Sequence, residues 1–311
     1  MRPLKLIIFA FLMVGEIHAQ DATNNSFFQM VAKWGKDEKQ TYKVTDEFYN
    51  LKPPETIPLE IYTYTYEVDV TVIDSTANSY TINWFYHDYD FNGSKAIRTF
   101  FSGIKTGLTV TLHTDRFGAL TEIANWQEIK DQIYQNTELI HLLDPINSEL
   151  DEIIKNVKET YSTKENMQAN CFNEIMKFYL FNTTSFKSEF ENTTRIKVTN
   201  PYTGTPMDAS QQFSAKKFNL DDGVVTLSLH TGYDSEQLTK TKFDYLTSES
   251  EKMNTPRPNW ASFPKDDIQE MTISTIHFSG WPMRIVDERQ VYSASISKVV
   301  KTTIELNLGF K

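Results

Sequence analysis

Apolar and polar side chains alternate along two stretches in the first third of the chain. From Tyr62 to Val72, tyrosines and valines occupy every second position, and Thr, Glu and Asp occupy the positions between them. A second alternation runs from Tyr80 to Tyr86, after turn-forming residues at 74–78. A period of two predicts β-strands, and one apolar and one polar face predict an antiparallel sheet with a solvated side.

The spacing of apolar residues becomes helical between residues 125 and 181. Trp126, Ile129 and Ile133 begin one apolar stripe, and further stripes follow after residues 145 and 163. Strand-like alternation resumes near Val225 and continues through 272–278 and 283–308. These patterns predict an α+β fold: a curved antiparallel sheet or partial β-barrel with a central helical block packed on it.

Two polar stretches are expected to be loops. Residues 248–267 carry three prolines and many charges, which predicts a long loop. Residues 183–208 offer an alternative domain boundary. We otherwise expect one β-rich domain over 20–311, with the helical insert at about 125–181.

The first 19 residues have the pattern of a cleavable signal peptide. Arg2 and Lys5 precede a short apolar run that ends at Val14, and the small residue Ala19 stands at the expected cleavage site. The run is too short for a membrane span, and the mature chain contains no other run long enough to be one. We therefore expect a secreted or periplasmic protein, cleaved after Ala19.

The charge of the chain limits the ligands that it can bind, and its cysteine content limits how the fold can be stabilised. The formal charge is −10, and removal of the leader takes away two basic residues and one acidic residue, which leaves −11. Acidic character without a basic stripe argues against nucleic-acid binding. Cys171 is the only cysteine, so the fold depends on core burial without an internal disulfide.

The aromatic residues of the first two strands are the candidate ligand contacts. They would line one face of the sheet, either as an ordinary covered core or as a groove for an apolar or sugar-like ligand. The residues are Tyr62, Tyr64, Tyr66, Tyr80, Trp84 and Tyr86.

A calcium-like segment follows the second strand. Asp88, Asp90 and Asn92 have the spacing of oxygen ligands in a calcium loop, with a glycine after them. The twelfth position is Thr99, where a calcium loop carries a bidentate Glu. The same residue types also form ordinary turns, so both interpretations stay open. No other cofactor is indicated.

The sequence carries no recognisable catalytic signature. It has neither a nucleophile elbow nor a zinc-protease motif, and its adjacent carboxylates are typical of solvated surfaces. We therefore expect a non-catalytic protein that binds an apolar or lipid-like ligand or an envelope partner. The alternatives are a secreted hydrolase acting on a glycan or ester, with its site near 248–267, and a structural or adhesive surface component.

Three stretches carry a resemblance to known proteins: the leader ending in Ala19-Gln20, the passage GALTEIANWQEI at 118–129, and the hairpin FSGWPMRIVDER at 278–289. Together they resemble uncharacterised secreted or periplasmic proteins of Gram-negative bacteria. The order of elements is also loosely similar to half-barrel lipoprotein carriers, in which helices shelter acyl chains against a sheet. The resemblance implies lipid-like binding but assigns no binding residue.

Overall fold

The computed structural model describes residues 27–52, 57–58, 61–92, 105–143, 148–170, 172–187, 190–219, 221–293 and 296–308. The expected leader and Cys171 lie outside these residues. The strands are β1 (Phe27–Gln29), β2 (Lys39–Leu51), β3 (Ile61–Ser75), β4 (Ser79–Phe91), β5 (Thr109–Asp115), β6 (Leu120–Ile123), β7 (Ser185–Lys187), β8 (Glu191–Thr199), β9 (Pro206–Asn219), β10 (Val224–Tyr233), β11 (Asp267–His277), β12 (Pro282–Ser293) and β13 (Ile296–Leu306). The helices are α1 (Trp126–Leu143), α2 (Ser148–Thr160), α3 (Lys164–Asn170), α4 (Asn173–Phe178) and α5 (Ser235–Met253).

Eleven of these strands form one antiparallel sheet in the order β6-β5-β4-β3-β2-β13-β12-β11-β10-β9-β8. The sheet is open, with β6 and β8 at its two edges. Most neighbours are consecutive in the chain, but β2 pairs with the last strand, β13. This one long-range pairing joins the strands before the helical block to the strands after it.

The two faces of the sheet differ in chemistry, as the alternation predicts. We call the face that carries Val44, Val68 and Ile304 the inner face, because these side chains are buried. The opposite, outer face carries Glu67 and Asp69 on the same strand as Val68. The observed strands confirm the α+β class and the antiparallel sheet.

The helical block covers the inner face of the N-terminal strands. Trp84 of β4 is completely buried. Its ring meets Phe178 edge-on with centroids 5.0 Å apart, and its Nε1 donates a hydrogen bond to the hydroxyl of Tyr179 at 3.1 Å. Helix α1 contacts β5, α3 contacts β6, and α4 contacts β12. The predicted central helical block packed on the sheet is therefore confirmed.

Two further covers lie on the C-terminal strands. The short β1–β7 ribbon contributes Phe186 to a second apolar cluster with Leu227 and Ile276. Helix α5 contributes Leu238 to a third cluster with Ile268. Each cover buries apolar side chains that the sheet alone would leave in water, a gain of about 25 cal/mol per Å².

Several elements differ from the sequence-based expectation. Residues 235–253 form α5, so its last turn occupies the start of the expected 248–267 loop, and a short 3₁₀ helix follows at Trp260–Ser262. Asp234 caps α5 by accepting a hydrogen bond from the Gln237 amide at 2.8 Å, which is a common signal for the start of a helix. Strand β8 lies within the stretch 183–208 that was expected to be loop.

Among the described residues, no helix combines the length and the apolar character needed to cross a bilayer.

Candidate functional site

The six aromatic residues proposed as ligand contacts divide into a buried group and one exposed residue. Tyr64, Tyr66, Tyr80, Trp84 and Tyr86 are all at most 9% exposed and belong to the core under the helical block. Tyr62 is 43% exposed. The five buried rings pack against other core side chains between the sheet and the helical block. Their role as ligand contacts stays a prediction.

The buried tyrosines form a continuous aromatic cluster. The Tyr66 ring centroid lies 5.3 Å from Tyr64, 5.8 Å from Tyr86 and 5.1 Å from Tyr89. These distances are typical of favourable aromatic pairs. The cluster leads along β3 from the core to the exposed Tyr62, two residues before Tyr64 on the same face.

An exposed apolar patch lies at that end of the inner face. Phe48 of β2 is directly opposite Tyr62 of β3 and Val300 of β13 in the strand register. The three residues are 42–43% exposed. We call Phe48, Tyr62 and Val300 the apolar patch. It places two aromatic rings and a branched aliphatic side chain side by side across three strands.

Cationic side chains border the apolar patch. Arg289 of β12 is directly opposite Val300, and its Nε lies 3.0 Å from Oε1 of Glu270. Lys298 precedes Val300 by two residues on β13 and is also exposed. Because residues two apart on a strand share a face, Lys298 is on the same face as the patch.

The next row of the inner face is polar and charged. Oγ1 of Thr302 donates a hydrogen bond to Oδ1 of Asp46, and Oγ1 of Thr272 donates one to Oδ1 of Asp287 at 2.6 Å. Lys177 of α4 reaches the same Asp287 carboxylate, with Nζ 2.8 Å from Oδ1. We call Asp46, Thr302, Asp287, Thr272 and Lys177 the charged row. On β2 and β13 it separates the apolar patch from the core, whereas on β3 the buried Tyr64 occupies this row and links the core to Tyr62.

The pKa of Asp46 is raised to about 6, chiefly by burial and also by the nearby carboxylates of Glu174 and Asp287. The hydrogen bond from Thr302 and the charge of Lys105 lower it and only partly offset that effect. Asp46 therefore changes charge in a mildly acidic range, where an ordinary Asp is already ionised.

Glu174 of α4 is a second buried carboxylate, close to the tyrosine cluster. Its Oε1 accepts a hydrogen bond from the Tyr86 hydroxyl at 2.9 Å and lies 3.4 Å from Nζ of Lys105. Burial, and then the charge of Glu174, raises the pKa of Tyr86 far above its ordinary value. Tyr86 thus stays protonated and acts as a hydrogen-bond donor.

The three calcium-like residues each interact with a different neighbour. Asn92 accepts a hydrogen bond from the Thr63 amide through Oδ1 at 2.5 Å, and donates one to the Ile61 carbonyl at 3.3 Å. Asp90 accepts from the Phe91 amide. Asp88 instead lies beside His87, with 2.8 Å between Oδ2 and Nδ1. Calcium binding stays a prediction, and the glycine of the motif lies outside the described residues.

The region expected to hold a hydrolase site contains a cavity of about 440 Å³ between α5 and the 3₁₀ helix. Trp260 and Phe263 line it with Glu236, the carboxylate among its lining residues. Glycoside hydrolysis uses two convergent carboxyl groups, and the described residues that line this cavity include one, Glu236. The hydrolase interpretation stays a prediction.

Sequence reasoning missed most of the exposed site. Phe48, Val300 and Arg289 lie on strands whose alternation is interrupted by inward polar residues such as Asp46. The register that brings Phe48 beside Val300 joins residues more than 250 positions apart, and no local pattern contains it. The alternation of β3 did identify the side on which Tyr62 lies.

No protein-family model and no curated protein matches the chain. Among solved structures, a lipovitellin chain, from a structure described as lipid–protein interactions in lipovitellin, aligns with a TM-score of 0.40 and 9% identity. The alignment covers 88% of this chain and 25% of the lipovitellin chain. A TM-score of this size does not establish a shared fold. These comparisons give no support to the resemblance to Gram-negative secreted proteins.

Proposed function

We propose that this chain is a non-catalytic protein that binds an anionic amphiphile, such as a fatty acid, at the apolar patch. The observation that carries the proposal is the adjacency of Phe48, Tyr62 and Val300 to two exposed cations on the same face. An acyl chain would cover the patch, and a carboxylate or phosphate would meet Arg289 and Lys298.

The apolar patch and the two cations that border it each favour such a ligand on physical grounds. Apolar side chains left in water gain free energy when a ligand covers them, in proportion to the area removed from water. An anionic headgroup forms charge-assisted hydrogen bonds with guanidinium and ammonium groups. A neutral hydrocarbon would use only the first of these contributions.

We also propose that the protein acts outside the cytoplasm, after cleavage behind Ala19. The support is the signal-peptide pattern of residues 1–19. Expression in a secreting host followed by intact-mass analysis of the exported protein tests this directly. We expect a mature N-terminus at Gln20, and retention of residues 1–19 in the exported protein would contradict it.

The binding proposal is tested by titrating the purified protein with a fluorescent fatty acid. We expect saturable binding, and we expect Phe48→Ala to weaken it at least fivefold. Phe85 is a matched control, because it is a phenylalanine of similar exposure, 40%, on the outer face. Phe85→Ala should leave binding unchanged. Absence of saturable binding, or equal loss in the two variants, would overturn the proposal.

The headgroup contact is tested separately with the fatty acid and its methyl ester. The wild-type protein should prefer the charged acid, and Lys298→Gln should reduce that preference while leaving ester binding nearly unchanged. If the acid and the ester bind equally to the wild-type protein, the cations play no part in recognition.

A further inference from the structure

Glu67 and His87 lie directly opposite each other on the outer face, on the neighbouring strands β3 and β4. Residues directly opposite on antiparallel strands have Cβ atoms about 5 Å apart. A carboxylate and an imidazole in this arrangement can therefore reach a common ligand between them.

A backbone irregularity adds Asp88 to the same place. The register between β3 and β4 shifts between Thr65 and Glu67, and Asp88 has a left-handed φ of +53°. The rings of Tyr86 and Tyr89 consequently both pack on Tyr66 of the inner face, although regular alternation would put residues 86 and 89 on opposite faces. His87 and Asp88 thus both point to the outer face, a re-aiming of side chains that β-bulges produce.

The three side chains offer a compact set of donor atoms. One ligand atom from each of Glu67, His87 and Asp88 lies within 4.8 Å of the other two, and no other group of three potential ligands is this close in the described part of the chain. Ligand atoms at about 2.0–2.2 Å from a zinc ion are within such distances of one another.

The surroundings of His87 fit a metal ligand. Nδ1 lies beside Oδ2 of Asp88, and Nε2, which is buried and makes no hydrogen bond to the described residues, lies 3.5 Å from Oδ2 of Asp69. Asp69 is itself held by Nζ of Lys39 at 2.7 Å and Oγ1 of Thr41 at 2.6 Å. A carboxylate behind the second ring nitrogen orients many metal-bound histidines.

We propose that Glu67, His87 and Asp88 bind a divalent transition-metal ion, with zinc as the representative ion and solvent completing its coordination. Nδ1 of His87 and one oxygen from each carboxylate would be the ligands, and Asp69 would orient the imidazole from behind. An imidazole nitrogen among the donors favours zinc over calcium, because calcium selects oxygen ligands. This site differs from the calcium-like set, since Asp90 and Asn92 take no part in it.

The first experiment is calorimetric titration of the purified, tag-free protein with ZnCl₂, and separately with CaCl₂ and MgCl₂. We expect one zinc ion per chain with no comparable calcium or magnesium binding. His87→Ala should weaken zinc binding at least tenfold. Glu67→Gln should do the same while keeping the side-chain size, and circular dichroism should show that both variants remain folded.

His113 provides the matched control. It also lies on the outer face and pairs with a carboxylate, with Nδ1 3.1 Å from Oε1 of Glu122. His113→Ala should leave zinc affinity within about twofold of the wild-type value. Absence of zinc binding by the wild-type protein would overturn the proposal, as would equal effects of His87→Ala and His113→Ala.

Cobalt gives a second readout that depends on the ligands themselves. Bound Co²⁺ should produce visible absorption bands, and Glu67→Gln and His87→Ala should each remove or shift them. Bands that persist unchanged in both variants would place the metal elsewhere and contradict the assignment.

Discussion

Nζ of Lys177 lies 2.8 Å from Oδ1 of Asp287, and this ion pair fastens α4 to β12. Both side chains are largely shielded from solvent. Asp287 also accepts a hydrogen bond from Thr272. Because α4 is only six residues long, it depends on such tertiary contacts for its position more than on its own hydrogen bonds.

We predict that Lys177→Met destabilises the protein by about 2–4 kcal/mol, because it leaves the Asp287 carboxylate buried without its cation. Urea denaturation at neutral pH measures the change. The double variant Lys177→Met/Asp287→Leu should recover a large part of the loss, since an apolar pair removes the unpaired charge. Equal destabilisation of the single and double variants would contradict this account.

The exposed pair Lys240–Asp244 on α5 serves as the control for that prediction. Its Nζ–Oδ2 distance is 2.7 Å, but both side chains are mostly in solvent. Exposed helical pairs contribute about 0.3–0.5 kcal/mol. Lys240→Met should therefore change the unfolding free energy by no more than about 0.5 kcal/mol.

Asp46 should make stability depend on pH in the mildly acidic range. Its pKa is about 6 in the folded protein, above the value of about 3.9 in an unfolded chain. Its contribution to stability is therefore complete below about pH 4 and is lost as the pH rises through 6. Asp46→Asn should stabilise the protein by about 3 kcal/mol at pH 7.5 and have little effect at pH 4.

Asp69 should behave in the opposite way and is the control. Partial burial favours a higher pKa, but hydrogen bonds from Lys39 and Thr41 and the charge of Lys39 outweigh it and lower the pKa. Its contribution is present above the unfolded value and lost as the pH falls. Asp69→Asn should therefore destabilise the protein at pH 7.5, and a stabilising effect there would contradict the sign.

Gly118 should tolerate no side chain. It has a φ of +88°, and a Cβ atom at this position would lie 2.6 Å from Cβ of Ala32 and 2.9 Å from Nδ2 of Asn182. Gly118→Ala should cost about 3 kcal/mol or more, from backbone strain and overpacking together. Gly204 has a φ of +70° but open space around it, so Gly204→Ala should cost only about 1 kcal/mol. Thermal unfolding of the two variants makes the comparison.

The sequence predicted those features that depend on local periodicity. The alternation from Tyr62 to Val72 correctly assigned inner and outer positions on β3, and helical spacing located the central helices. The interval between the strand-like stretches 272–278 and 283–308 marked the hairpin between β11 and β12. In each case the signal lies within a window of about 15 residues, which is the range over which apolar periodicity is informative.

Features that depend on distant pairing could not be read in the same way. Asp46 is a polar residue at an inward position of β2, so it interrupts the apolar alternation of that strand. Its partner Thr302 comes from the other end of the chain, and no local pattern therefore accounts for a polar residue at this position. Two of the proposed zinc ligands, Glu67 and His87, were missed for a related reason. They meet Asp88 only through the register of β3 and β4 and the left-handed backbone at Asp88, whereas the calcium-like motif grouped Asp88 with residues that follow it along one segment.

The pairing of β2 with β13 has a consequence for the order in which the chain folds. Strand β13 lies between β2 and β12 in the sheet, so the strands before the helical block retain an open edge at β2 until residues 296–306 have been synthesised. Contacts between residues so far apart slow folding, and an unpaired strand edge favours association between chains. The nascent protein therefore needs protection along β2 while it is being made, and loss of β13 would leave two separate sheets rather than a slightly smaller one.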